Sequence, residues 1–193
     1  VIAHGAGYLD GAVIGGGVNK AREGTSPVIV SGDESLFKKY KSKLERLGSV
    51  DYAGEQGNAK IIKICNNLLL GINTASGAEA LSIGESAGLA LEDMTRWLDD
   101  SSGNSAALQG MFGHLVRTGE FPEGIASFKF YDKDMSLGCA LAERNEFPAY
   151  FTHLTRQILA TAAQVKGADA PFASILTYYR AMQHAVPEDD IRN

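Results

Sequence analysis

Gly54-Glu-Gln-Gly57-Asn-Ala-Lys60-Ile-Ile-Lys63-Ile-Cys65-Asn66-Asn67-Leu-Leu-Leu70 is the stretch from which the rest of the chain is read. A turn marked by two glycines opens an apolar run into which two lysines and two asparagines are set at helical spacing. The run continues through Gly71 and Glu79 to Ile83 with no proline and no strong stop. This pattern predicts one long helix from about Asn58 to about Ala87. Lys63 and Asn67 are four residues apart and so share one helix face. On an exposed face they would be a solvated lysine and an amide bonded to nearby backbone, as most lysines are. In a cleft, a lysine withdrawn from water exchanges its proton closer to neutral pH, which is what acid–base chemistry uses.

The strand signals all lie upstream. Tyr8–Ile14 is a short apolar run closed by Gly15-Gly16-Gly17, and Pro27–Gly32 is a second, β-branched run. Between them Val18–Thr25 reads as a polar connector. Asp33 is an N-cap for a helix from Glu34 to Leu47, stopped by Gly48, and Val50–Ala53 reads as a third strand. Downstream the expected helices are Leu91–Asp99, Ala106–Arg117, Lys129–Arg144, Pro148–Val165 and Ala170–Gln183, followed by a frayed end around Pro187–Asp190. The expected fold class is α+β and mainly α. Residues 1–56 are the remainder of an α/β domain, and residues 57–193 form an all-helical domain.

Composition narrows the function. In 193 residues, 45% hydrophobic and 21% charged content describes a globular protein. The net charge of −5, without any basic block, argues against a nucleic-acid partner. No apolar run reaches the ~18 residues of a membrane span and no signal peptide shows, so a cytoplasmic protein is expected. Cys65 and Cys139 both fall in apolar helical patterns and are expected to be buried thiols. His4, His114, His153 and His184 are too scattered for a ligand set, and no metal is assigned. The chain opens Val1-Ile2-Ala3-His4 without a methionine and runs almost directly into a strand, so it is expected to begin inside a longer protein.

Other stretches are ambiguous by themselves. Gly15-Gly16-Gly17 lets backbone N–H groups approach an anion, but also suits an ordinary flexible turn. A dinucleotide fingerprint G-x-G-x-x-G between a first strand and a helix is absent from the expected place. Lys133-Asp134 beside Asp132 reads as a solvated, charged first helical turn. Asp99–Gly103 is a polar loop or a helix exit, and Met94, Trp97 and Leu98 are expected to be core. The long helix carries Leu68, Leu69, Leu70 and Ile72 on more than one face, which would bury it all round and call for a partner surface.

In combination these stretches resemble the β-hydroxyacid dehydrogenase family, of the 3-hydroxyisobutyrate dehydrogenase and tartronate semialdehyde reductase type. Asp10-x-Ala12-Val13-x-Gly15-Gly16, then Gly24-Thr25 and Val-Ile-Val-Ser-Gly32, is similar to the family's D-A-P-V-S-G-G…G-T-L…V-G-G. Gly54-x-x-Gly57, Lys63 and Asn66-Asn67 follow its G-x-x-G-x-G-x-x-x-K-x-x-N-N. Glu79-Ala80-Leu81, Ser101-Ser102-Gly103 and Lys133-Asp134-Met135 fall in the family order, and the likeness runs from about Tyr8 to Tyr179. The sequence departs at Ile14, where the family has serine, at Ala59, where it has glycine, and at the bulky Ile61 and Ile62. The phenylalanine that the family places ahead of K-D has no clear counterpart around Ile125 and Ala126.

The resemblance implies the last strands of a Rossmann domain joined by the long helix to a 6-phosphogluconate-dehydrogenase-like helical domain. In the family the active site lies between the two parts. It also implies that the family's amino-terminal Rossmann half is missing from this chain, which alone would be inactive. The implied activity is hydride transfer between NAD or NADP and a small 3-hydroxy acid. Lys63 corresponds to the catalytic lysine and Asn67 to the substrate-binding asparagine. Gly15 and Gly16 correspond to the backbone that holds the substrate carboxylate, and Lys133 to the lysine that reaches the nicotinamide cofactor. A homodimer through the helical domain is implied as well. An alternative of a different class is a non-catalytic helical dimerisation or interaction module derived from the family. A related imine reductase is disfavoured by Lys63, because those relatives usually carry another residue there.

Overall fold

The computed structural model describes residues 6–15 and 17–183. The chain divides into two compact units, Val1–Asn67 and Leu68–Asn193. The first contains the strands β1 (Leu9–Val13), β2 (Pro27–Gly32) and β3 (Ser49–Tyr52), in the order β1-β2-β3. β1 runs antiparallel to β2 in a register that pairs Asp10 with Ser31, and β2 runs parallel to β3. β2 is central and buried through Val28, Ile29, Val30 and Ser31. Being covered on both faces explains why its sequence is a continuous β-branched run and not an alternating one.

Two helices accompany this sheet. α1 (Gly17–Glu23) buries none of its side chains. It forms where a polar connector was expected, because such a short polar helix has no apolar stripe for sequence periodicity to register. α2 (Glu34–Leu44) begins at Asp33, whose carboxylate accepts the Leu36 N–H at 2.9 Å, and tightens into a 3₁₀ turn over Glu45–Leu47. Phe37 from α2 packs with Val28, Val30 and Val50 as a small core and stacks on Tyr52 with ring centroids 5.0 Å apart. At Gly48 the chain passes so close to β2 that an added Cβ would lie 2.0 Å from the Ser26 carbonyl oxygen. Glycine alone fits there.

α3 (Asn58–Ser86) is the long helix, 29 residues without a break. The second unit adds α4 (Leu91–Asp99), α5 (His114–Thr118), α6 (Phe128–Arg144), α7 (Tyr150–Lys166) and α8 (Ile175–Gln183). The helix expected over Ala106–Arg117 instead carries a π-helical turn, Leu108–Gly113, ahead of α5. The widened turn accompanies the full burial of Leu108, Phe112 and Gly113, and sequence period cannot distinguish it from an α-helical turn. The helix expected from Ala170 begins only at Ile175, after a 3₁₀ turn over Phe172–Ser174. Pro171 pairs with Ser127 in an isolated bridge there, holding the backbone extended before the helix can start.

The core of this unit is Leu81, Phe112, Phe128, Met135, Leu159, Phe172, Ile175 and Leu176, with Tyr131 stacked on Phe172 at 3.8 Å between centroids. Three expectations about burial change. Cys139 is buried but Cys65 is exposed. Trp97 is 74% exposed, whereas Met94 and Leu98 do pack against the core, because the inward face of a nine-residue helix is too narrow to take all three. On α3, Leu68 and Leu70 meet the core while Leu69 is 60% exposed, so the helix has an open face and is not buried all round.

α3 and α6 approach closely at Gly138, where an added Cβ would lie 2.4 Å from one Leu68 methyl and 2.8 Å from the other. Gly138→Ala must displace Leu68 within a packed site, and overpacking of this size costs about 1–3 kcal/mol. A lowered urea midpoint with an unchanged m-value is the expected outcome, and Gly110→Ala, where an added Cβ meets nothing within 4 Å, is the matched control.

Candidate functional site

Lys63 lies in the second turn of α3, and both it and Asn67, one turn later, are half-buried. The Asn66 side-chain amide donates to the Asn67 side-chain carbonyl oxygen at 3.1 Å. Lys60 is exposed, with its ammonium 3.5 Å from the Tyr8 hydroxyl and 5.9 Å from the ring centroid. The two lysines therefore differ in environment although they are only three residues apart. Ile61 and Ile62, bulky where small residues were expected, point substantially into solvent at 45% and 42% exposure.

The start of α3 is held by side chains from the sheet. The N–H of Ala59, which is fully buried, donates to the Ser31 hydroxyl at 3.0 Å. The Gly57 N–H donates to Asp10 Oδ1 at 3.3 Å, and the Ser31 hydroxyl donates to the same oxygen. Asn58 adds a side-chain bond to the Ala53 carbonyl at 2.9 Å. The first N–H groups of a helix lack intrahelical acceptors, and where water is excluded another group must supply them. Asp10 and Ser31 supply them here. Sequence reasoning missed both as site residues, although an acid inside an apolar strand was a signal that could have found Asp10.

Gly15 is exposed and joins β1 to α1; the preceding Ile14 donates its N–H to the Pro27 carbonyl at 3.0 Å. Gly16 lies outside the described residues, as do His4 and His184. In the second unit, Ser127 caps α6 by accepting the Phe130 N–H at 3.3 Å. Lys133 follows in the second turn with its ammonium 3.0 Å from Asp134 Oδ1 and 4.3 Å from the Phe130 ring centroid. The expected solvated turn is only half correct. Lys133 is exposed, but Asp134 is buried because it lies on the inward face with Tyr131 and Met135. Burial, together with the neighbouring Asp134 charge, pushes the Tyr131 hydroxyl well above the usual phenol range, so this tyrosine stays protonated. Asp132 faces outward and pairs with Arg156 of α7 at 2.9 Å. Among the described residues no three His, Cys, Asp or Glu side chains gather as a metal site, and no helix is long and apolar enough to cross a membrane.

Residues 57–179 match the family model described as NAD-binding of NADP-dependent 3-hydroxyisobutyrate dehydrogenase, and the chain belongs to that family. It is 33% identical over 189 residues to 3-hydroxyisobutyrate dehydrogenase of Pseudomonas aeruginosa, covering 92% of this chain and 62% of that protein. It is 34% identical over 155 residues to 2-(hydroxymethyl)glutarate dehydrogenase of Eubacterium barkeri, covering 80% of this chain and 51% of that one. The fold is similar to that of Mycobacterium tuberculosis 3-hydroxyisobutyrate dehydrogenase solved with L-serine, with a TM-score of 0.78, 24% identity, and coverage of 89% and 60% of the two chains. The chain thus spans between half and two thirds of the length of these relatives.

Proposed function

We propose that this chain is part of an NAD(P)-dependent oxidoreductase that transfers a hydride to or from the hydroxyl-bearing carbon of a small 3-hydroxy acid. The observation that carries the reading is the Lys63–Asn67 pair, half-buried one turn apart in α3 and inside the span that matches the family model. When bound, the nicotinamide cofactor supplies the hydride chemistry. Removal of a hydride from the carbinol carbon leaves a hydroxyl proton that must also depart. Lys63 accepts that proton at Nζ in oxidation and returns it in reduction. Asn67 holds the hydroxyl toward Lys63, and the backbone at Gly15 and Gly16 anchors the substrate carboxylate. Lys133, an exposed cation beside the Phe130 ring, suits a contact with the cofactor.

The residues present fit the reacting end of a dinucleotide and not its pyrophosphate. Among the described residues, the glycine turn after β1 leads into a seven-residue helix with no buried side chain, which gives no firm N-terminus for a diphosphate. The 193-residue chain taken by itself is therefore expected to bind NAD or NADP more weakly than micromolar and to be inactive. Titration calorimetry reads this directly, and a micromolar dissociation constant would contradict it.

In the full natural protein, Lys63→Ala is expected to lower kcat by roughly 10²–10⁴-fold, the usual range for loss of a general acid–base group, with cofactor affinity little changed. Lys60→Ala, on another face and exposed, should leave turnover near normal. Steady-state kinetics with 3-hydroxyisobutyrate as the first substrate tested makes the comparison. Near-normal turnover in both variants would remove Lys63 from the chemistry and leave the non-catalytic helical module as the better reading.

Assembly is proposed to be a homodimer through the helical part. What supports this is a group of exposed apolar side chains, Tyr150, Phe151 and Leu154 on α7 and Phe147 just before it, at 79%, 72%, 56% and 68% exposure. Light scattering at tens of micromolar is expected to give twice the chain mass, and Phe151→Glu to return it to the monomer value. A monomer mass for the unaltered protein would defeat the proposal.

A further inference from the structure

We infer that Asp10 and Ser31 are positioning residues for the reaction: together they cap the start of α3 and so set the place and rotation of Lys63 and Asn67. The inference rests on the assignment of Lys63 and Asn67 to the chemistry. Asp10 is 3% exposed and Ser31 fully buried, and their places are paired across β1 and β2. Polar groups removed from water this completely need partners. Ser31 donates to Asp10 Oδ1 and accepts from the Ala59 N–H, and Asp10 Oδ1 also takes the Gly57 N–H.

Asp10 Oδ2 is buried and has no hydrogen-bond partner among the described residues, and no cation among them pairs with Asp10. The compensation for this carboxylate is therefore the hydroxyl of Ser31 and the partial positive charge at the head of α3. The dependence is mutual. The Ala59 N–H, equally shut off from water, has no other acceptor than Ser31 among the described residues. From Ala59 to Lys63 is about one helical turn, so the placement of the first turn sets the direction of the next in a continuous α-helix. Near the head of α3 the other charged groups are Lys60, exposed, Lys63, half-buried, and Glu55, exposed. None of them shares the burial of Asp10.

Two readouts in the full natural protein test this. In the unaltered protein the Gly57 and Ala59 amides should exchange with deuterium as slowly as amides inside α3. Exchange at free-peptide rates would overturn the inference outright. Asp10→Ala and Ser31→Ala should speed exchange over residues 57–63 by tenfold or more and lower kcat on the order of 10²-fold, the cost of misplacing a reacting group by about an ångström. Cofactor affinity should stay within twofold. Asp10→Asn, which keeps an acceptor for the Gly57 N–H, should recover at least tenfold of the lost turnover. Asp33→Ala is the comparison for a merely structural cap: it removes the cap of α2, lowers the thermal midpoint and leaves turnover per folded molecule intact. If Asp10→Ala behaves like Asp33→Ala, the positioning role is wrong. If Asp10→Ala does not fold, Ser31→Ala and the unaltered protein's exchange rates decide. If the unaltered protein transfers no hydride from any hydroxy acid, the proposed function fails while the exchange rates still judge the cap.

Discussion

The head of α3 is the constraint on which the first unit depends. A 29-residue helix must begin somewhere, and this one begins where Ala59 is fully buried. Water cannot satisfy the first N–H groups in such a place, so the sheet must. Ser31 and Asp10 meet that need from neighbouring strands, and their side chains are brought side by side by the antiparallel register of β1 and β2. A register shift of one residue would put the two on opposite faces of the sheet. The register, in turn, is fixed by the apolar residues of β2 and by Phe37 packing on Val28, Val30 and Val50. Hydrophobic pattern thus sets strand register, register sets the cap, and the cap sets where α3 starts.

The second unit is organised by close helix approach. Gly138 accepts the side of Leu68, and Gly71 accepts the tip of Met135, so α3 and α6 come nearer than two helices faced with larger side chains could. Tyr131 and Phe172 stack in the space beside them. Outward from this core, α8 is tied to α3 by Arg180 bonded to Glu85 at 2.9 Å, by Gln183 on the Ser82 carbonyl at 3.0 Å, and by Tyr179 on Glu79 at 3.2 Å. The apolar core carries most of the stability, and these polar contacts add little to it beside their role in alignment. Their value is directional: they hold α8 in one register along α3.

Family membership and local chemistry supply different kinds of information about the site. The matched span of residues 57–179 fixes the type of protein. The motif spacing singles out Lys63 over Lys60, and the two lysines also differ in burial, one half-buried and one exposed. Departures from the family pattern fall at Ile14, Ala59, Ile61 and Ile62. Ala59 is explained by its contact with Ser31, since a small buried residue is needed where the sheet reaches the helix. Ile61 and Ile62 stand outside that contact, and nothing within the described residues accounts for their bulk.

Much of the architecture was legible from local pattern. The long helix, the three strands, the cap at Asp33 and the helices α4, α6 and α7 follow from periodicity and from residues whose effect is confined to their own turn. The spaced motifs made the family legible too, and with it Lys63, Asn67 and Lys133 as candidates. What the sequence could not decide was anything that needs two distant segments at once. Trp97 and Cys65 look like core by spacing and are exposed; Asp134 looks solvated and is buried. The π-helical turn at Leu108–Gly113 shares its residue preferences with an α-helical turn, and only the packing of Phe112 selects it. Asp10 and Ser31 lie 21 positions apart, and each has its partner at the head of α3. Periodicity reports which way a side chain faces within its own element; what waits on that side is decided by the tertiary structure, because burial and hydrogen bonding belong to pairs of elements and not to one.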